Sequence, residues 1–234
     1  MSLRRTFNRD GFILIKNFFS KQESSFLVSE AKKLYELPEV RGSYMKFYEK
    51  TPDSRILARM EYFLGARNEL NNLVEKRVNP LVNEVMDENM KIFKDKINWK
   101  LPGGGAFLPH QDQDAWSDFP PNFYVTAAIF ADKSTSKNGC LEFVEGVHQN
   151  GLLENNNGEI VENVVTAMDW TKVETTPRDI VLFDSYAPHR SQANKSKNQR
   201  RIYYMTYNKE IDGDFYEDYF DRKRKEFPPD FERE

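Results

Sequence analysis

The spacing of apolar positions changes character near residue 94 of this 234-residue chain. Before that point it is mostly helical. Ser20-Lys21-Gln22-Glu23 has the form of a capping box and predicts a helix running to about Leu37, where Pro38 ends it. A short strand over residues 12–18 precedes it. Over residues 67–93, Leu70, Leu73, Val74, Leu81 and Val85 recur at helical spacing, with Pro80 placed to kink or divide the helix. After Lys94 the period becomes two: Ile97, Trp99 and Leu101 alternate with Lys96, Asn98 and Lys100, a strand with one polar face. Residues 124–130, 140–144, 161–166, 180–183 and 202–207 are further short β-rich runs, separated by Gly, Asn, Pro and Asp. Asn155-Asn156-Asn157-Gly158 marks a loop tip among them. Helices first and many short strands afterwards predict a mainly β fold with flanking α, a jelly roll buttressed by N-terminal helices. One domain over 1–234 suffices, with a strand and helical layer in 1–93, a jelly-roll core in 94–210 and a helical tail in 211–234.

Composition narrows the partners. A formal net charge of −3 leaves no surplus to neutralise a phosphate backbone, so nucleic acid is not expected. No apolar run approaches the length of a membrane span, and the first one, residues 11–15, is too short for a signal-peptide core. A single cysteine, Cys140, fits a reducing cytoplasm and excludes a cysteine zinc cluster. Any metal must therefore rest on His and carboxylate ligands. A small polar or anionic molecule is the expected partner, for a monomer or homodimer.

Two of the three histidines stand in informative places. His110-Gln111-Asp112 sets an imidazole and a carboxylate two residues apart, so an extended backbone projects both from one face, and Gly103-Gly104-Gly105 lets the chain turn ahead of them. Asp114 lies on the same face and competes with Asp112. His189 follows the apolar run at 180–183, which puts it at the end of a rigid strand. Two His and one carboxylate form a facial triad suited to Fe(II), with coordination positions left open. Arg200 follows His189 by eleven residues and opens the last strong strand; a guanidinium fork pairs both oxygens of a carboxylate. Arg201 is its neighbour, and alternation allows only one of the two to face the interior. His148 has no carboxylate at metal spacing and reads as a turn or core residue. Lys46, Arg59, Lys100 and Arg190 are candidates to offer charge to an anionic substrate among 34 Lys and Arg that mostly face solvent.

These residues resemble the phytanoyl-CoA dioxygenase family, whose pattern is His-x-Asp, a distal His, and Arg eleven residues later. The similarity extends to Asp10-Gly11-Phe12, residues 96–100, Asn138-Gly139-Cys140-Leu141-Glu142-Phe143 and Gly146-Val147-His148. Val147 stands where the family's Gly-Ser-His element has another residue, which bears on the loop and not on the metal. The resemblance implies a cupin-like double-stranded β-helix holding Fe(II) through His110, Asp112 and His189, with Arg200 anchoring 2-oxoglutarate. Ser191 and Asn98 match positions near that cosubstrate, and Trp116 matches an aromatic wall of the pocket. The implied reaction uses O2 and 2-oxoglutarate to hydroxylate a substrate, and Asp112 speaks against the halogenating variant. The glycine run, residues 110–114 and the tail at 219–230 look like the branch acting on 2-aminoethylphosphonate, so a small organophosphonate is the expected substrate. An acyl-CoA ester or amino-acid derivative, or a catalytically silent metal-binding jelly roll serving as a sensor, are the alternatives.

Overall fold

The computed structural model describes residues 2–51 and 54–233. The chain enters through α1 (Leu3–Asp10), which ends where Gly11, at φ 82°, turns its amide back to the Phe7 carbonyl. Strand β1 (Phe12–Ile15) leads into α2 (Lys21–Glu36). The predicted capping box is present: Ser20 Oγ accepts from the Glu23 amide at 3.1 Å, and the Glu23 carboxylate accepts from the Ser20 amide at 2.7 Å. Next come β2 (Met45–Thr51) and β3 (Ser54–Glu61), an antiparallel hairpin where the sequence pattern predicted only a helical layer.

The helix expected over 67–93 is divided and shorter. It consists of α3 (Asn68–Leu73), a π-helical turn (Val74–Val78) and α4 (Asn79–Met86). Pro80 lacks an amide hydrogen, and the wide turn just ahead of it lets the helix continue past the missing bond. Asp87, at φ 56°, ends α4, and β4 (Met90–Lys100) begins within the stretch predicted to be helical. Residues 90–93 are therefore strand, and the segment boundary drawn at 93 falls inside β4.

The remaining elements are β5 (Phe107–His110), β6 (Val125–Phe130), β7 (Leu141–Phe143), the β8 (Asn155–Asn156) and β9 (Glu159–Ile160) hairpin, α5 (Glu162–Val165), β10 (Thr171–Val173), β11 (Ile180–Asp184), β12 (His189–Ser191), β13 (Arg200–Lys209) and α6 (Tyr216–Glu226). Asn157 and Gly158 take positive φ in the hairpin turn, the predicted loop tip. The strand predicted at 161–166 is instead α5. Val161, Val164 and Val165 fall at i, i+3 and i+4, a helical stripe that overrides their β propensity.

Two sheets face each other. The major sheet runs β1-β11-β6-β13-β4-β3-β2 and the minor sheet β10-β7-β12-β5. This is the expected jelly roll, with strands of the N-terminal segment built into its major sheet. The outer face of the major sheet carries Ile97, Trp99, Ala127, Ile129, Tyr203 and Met205 against Leu27, Ala31 and Leu34 of α2 and Val74, Val78 and Val82 of the divided helix. Between the sheets, Phe130, Leu141, Phe143, Phe183 and Ile202 form a second apolar layer. The polar face of β4 also turns inward: Lys94, Asn98 and Lys100 are buried there. Among the described residues no helix is long and apolar enough to cross a membrane.

Candidate active site

Strand pairing brings the two histidines together. In the minor sheet His189 of β12 is the register partner of His110 of β5, and their ring centroids lie 4.2 Å apart. Gln111 is extended and Asp112 opens a 3-10 turn, so the carboxylate returns to the face that carries His110. Asp112 Oδ1 stands 3.6 Å from His110 Nε2 and 3.9 Å from His189 Nε2. One ligand atom from each of the three residues falls within 4.8 Å of the others.

The residues around the trio fix this geometry. Gln111 donates to the carbonyls of Gly151 and Tyr186 at 2.8 and 2.7 Å and accepts from the Leu153 amide at 2.7 Å. Gln113 accepts from Ser185 Oγ at 2.8 Å. Asp114 faces Asn155 Nδ2 at 3.4 Å, toward the β8–β9 hairpin, and takes no part in the trio. Nδ1 of His110 lies 2.7 Å from the Leu108 carbonyl, and Nδ1 of His189 lies 3.0 Å from that of Ala187. Those carbonyls accept only from a protonated Nδ1, which leaves both Nε2 lone pairs for a cation. Burial and the adjacent His110 push the His189 imidazole down to about 4, so it is neutral near pH 7. Burial would raise the Asp112 carboxyl; His189, His110, Lys96 and Lys94 more than offset it and hold the group below its ordinary value. Two imidazole nitrogens and one carboxylate on adjacent positions suit a ferrous ion and leave further positions for other oxygen donors.

A cavity of about 40 Å³ adjoins the trio, bounded by Lys96, Asn98, Tyr204 and Ser191. Arg200 is fully buried, and none of its three guanidinium nitrogens makes a well-aligned hydrogen bond or an ion pair among the described residues; the Tyr204 hydroxyl lies within reach of it as a weak contact that leaves the fork without a carboxylate. Asn98 Oδ1 is likewise buried and unpartnered. Orphaned polar groups of this kind indicate a missing ligand, and a planar cation of this shape fits a carboxylate. Arg201 points the other way, with Nε and Nη2 each 2.8 Å from the Asp132 carboxylate. Alternation along β13 thus assigns the inward arginine as expected. Lys100 Nζ donates to Ser191 Oγ at 2.8 Å and to the Gln192 carbonyl at 2.7 Å, and burial beside Arg200 pulls it down to about 7.

A second cavity, about 300 Å³, meets the first at Asp112 and Lys96. Trp116 and Arg59, both singled out in the sequence, line it. Lys94, Tyr219 and Lys223 line it too, and the sequence reading did not single them out. The signal for Lys94 and Lys96 was present in the alternation of β4, whose polar face belongs to the site. Lys223 comes from the tail, and no local pattern places a tail helix over a cavity.

Two substrate candidates have other employment. Lys46 donates to the Tyr35 carbonyl at 2.9 Å and to that of Leu37, closing the C-terminal end of α2. Arg190 borders the small cavity, but its Nε is 2.7 Å from Glu142 Oε2 and its guanidinium lies 4.1 Å over the Trp170 ring. His148 is structural, as predicted, with Nε2 3.2 Å from the Asn8 carbonyl.

A jelly roll with this trio on its minor sheet and a buried arginine on the major one has the architecture of the mononuclear non-haem oxygenases. The chain belongs to the phytanoyl-CoA dioxygenase (PhyH) family, whose profile matches residues 7–202. It is 36% identical over 228 residues to a 2-aminoethylphosphonate dioxygenase of an uncultured bacterium, covering 96% of this chain and 87% of that one. It is 35% identical over 222 residues to a methylphosphonate hydroxylase of Gimesia maris, covering 94% and 85%. Among solved structures, EctD from S. alaskensis with 2-oxoglutarate and 5-hydroxyectoine superposes with a TM-score of 0.76 at 19% identity, covering 89% of this chain and 76% of that one.

Proposed function

We propose that the protein is an Fe(II)- and 2-oxoglutarate-dependent hydroxylase of a small organophosphonate. His110, Asp112 and His189 would hold the iron, and Arg200 would clamp the distal carboxylate of 2-oxoglutarate, with Ser191, Asn98 and Tyr204 around the cosubstrate. The observation that carries the reading is the converged His-Asp-His trio, with Arg200 fully buried, free of any carboxylate partner among the described residues, and in contact with Tyr204, which lines the cavity at the trio. When bound, iron and 2-oxoglutarate supply the oxygen chemistry that converts a substrate C–H to C–OH while 2-oxoglutarate becomes succinate and CO2. The chain's own part is positional. The carbonyls of Leu108 and Ala187 hold the imidazole tautomers, Gln111 and Gln113 fix the ligand turn, and the apolar layer of Phe143 and Phe183 keeps water from the back of His189.

The phosphonate is supported by relatives that carry two different phosphonate activities at more than a third identity, and by a 300 Å³ cavity beside Asp112 that suits a small metabolite better than an acyl-CoA ester. The test has two parts. Anaerobic protein given Fe(II) and 2-oxoglutarate should develop a visible charge-transfer band. With O2 and ascorbate, it should release succinate when supplied with 2-aminoethylphosphonate or methylphosphonate. His110→Ala should lose both. A wild-type band without succinate release on any phosphonate would favour a binding module over an enzyme.

A further inference from the structure

The 300 Å³ cavity has an unusual charge inventory. On its walls β4 contributes Lys94 and Lys96, β3 contributes Arg59, and α6 contributes Lys223. The carboxylates facing these four cations are Asp112 and the fully buried Glu61. Arg222 and Glu226 also border the cavity and pair with each other at 2.9 Å, and the exposed Asp118, 2.7 Å from Arg222, lies outside the lining. Glu61 sits at the centre of the cluster, with Lys223 Nζ 2.8 Å and Arg59 Nε 3.0 Å away. Lys94 and Lys223 both donate to the Tyr219 hydroxyl, at 2.8 and 3.2 Å. Lys96 differs from the rest. Its ammonium lies 4.8 Å over the Tyr204 ring and has no hydrogen bond or ion pair among the described residues, although it borders both cavities beside Asp112.

Four cations against two carboxylates amount to a surplus of up to two positive charges in a partly desolvated space, before any metal is counted; burial pulls Lys96 down to about 8 and Lys223 to about 7, so the pocket sheds part of that charge until an anion enters. Such a surplus is costly unless a ligand completes it. The ligand that does so is a dianion with several acceptor oxygens, because the donors converge from three elements and not along one plane. A flat carboxylate satisfies a guanidinium fork; a tetrahedral phosphonate suits ammonium groups arriving from different directions.

We infer that this cavity is the binding site for the phosphonate head group, that Lys96 is its principal contact with Lys94 and Lys223 beside it, and that α6 is thereby a wall of the substrate pocket. The inference rests on the hydroxylase reading above and assigns the residues that select its substrate. Glu61 is a positioning residue: it gathers Lys223 and Arg59 so that α6 stays closed over β4 when no substrate is bound. Head-group binding here puts the carbon attached to phosphorus toward Asp112, where the two cavities meet.

The test uses anaerobic protein loaded with Fe(II) and 2-oxoglutarate, titrated with methylphosphonate and with 2-aminoethylphosphonate by calorimetry. The 2-oxoglutarate charge-transfer band is followed as an internal control. Lys96→Met should weaken phosphonate binding by at least ten-fold and Lys223→Gln by several-fold, the latter with 2-oxoglutarate affinity unchanged within two-fold because Lys223 borders only the larger cavity. Inorganic phosphate should compete with the phosphonate in wild type, and acetate should not. Because Lys223→Gln leaves Glu61 short of a partner, the Glu61→Gln/Lys223→Gln double variant restores the balance; if it folds and still binds phosphonate like wild type, the assignment of α6 is wrong. Phosphonate affinity and KM left at wild-type values in Lys96→Met as well would overturn the whole site while leaving the hydroxylase reading intact. Phosphonate bound through these lysines but never oxidised would do the reverse. A wild type that binds neither phosphonate nor phosphate defeats the inference outright.

Discussion

Two arginines one residue apart meet opposite fates in this molecule, and the contrast shows how the site is made. Arg201 is stabilised in the free protein by a two-point contact with Asp132. Arg200 is buried with no carboxylate partner among the described residues and only a weak contact with the Tyr204 hydroxyl, which costs the folded state on the order of 1–3 kcal/mol relative to a paired group. The cost belongs to the ligand-free protein and is recovered on binding. Arg200→Met should therefore make the ligand-free protein more stable, by roughly 1–3 kcal/mol, and remove the rise in melting temperature that 2-oxoglutarate gives the wild type. Melting curves with and without 2-oxoglutarate decide it; a destabilised variant that still responds to the cosubstrate would show that Arg200 has a structural partner after all. At this scale much was legible in the sequence. Metal-binding side chains are constrained by element chemistry, so the trio His110, Asp112 and His189 that the fold brings together was visible by type and by the spacing of the family it resembles; alternation allowed only one of Arg200 and Arg201 to face inward, and the eleven-residue spacing from His189 pointed to Arg200. Lys96 was equally visible as part of a polar face, but a polar face reads the same whether it meets water or an enclosed site.

Elements determine how closely those side chains approach. Gly139 lies just before β7 at φ 75°, and a Cβ there would stand 2.0 Å from the Gln192 carbonyl oxygen and 3.3 Å from Lys100 Nζ. That carbonyl is one of the acceptors that hold Lys100 beside Arg200. Gly139→Ala should consequently push the chain after β12 away from β7 and loosen the cosubstrate end of the cavity while His110 and Asp112 keep their places. The expected result is a loss of about 2–3 kcal/mol in stability and a KM for 2-oxoglutarate raised ten-fold or more, with iron binding by the apoprotein little changed. Wild-type KM in this variant would mean that the close approach is incidental to the site. Capped and strongly periodic elements were readable in advance, above all α2 and the strands of the jelly-roll core. The β2–β3 hairpin was not. It lies at the edge of the major sheet, where Lys46, Glu49, Arg55, Arg59 and Glu61 interrupt the apolar alternation because its faces serve helix capping, surface ion pairs and the site. Likewise α5 was mistaken for a strand because three valines carry β propensity, yet only a helical turn sets Val161, Val164 and Val165 on one side.

For the molecule as a whole, the jelly roll works by making one side of its major sheet apolar throughout and the other apolar only in part. Helices bury the outer face, and the inner face joins the apolar layer of Phe130, Phe183 and Ile202 to cations on β4 and β13, among which Lys96 and Arg200 have no carboxylate paired with them among the described residues, so folding stability and function are opposed within the same sheet. A buried carboxyl near the site turns that opposition into a pH dependence. Asp184 ends β11, accepts from the Tyr186 amide at 2.7 Å, and burial raises it to about 7. In the unfolded chain it titrates near its ordinary value of 3.8. Between those values the native state binds the proton that the unfolded state has released, so the contribution of Asp184 is full below about pH 4 and is lost as pH rises toward 7. The slope inside the window is at most about 1.4 kcal/mol per pH unit. Asp184→Asn keeps the acceptor for the Tyr186 amide and removes the titration. Urea midpoints of the metal-free protein should then show the variant gaining on the wild type steadily between pH 4 and 7 and holding a constant lead above it. A difference that stays flat across that range would mean that Asp184 is ionised in the folded protein and has a counter-charge or solvent path; a wild type that then loses stability relative to the variant only as pH falls below 3.8 would reverse the sign and place the folded value under the ordinary one.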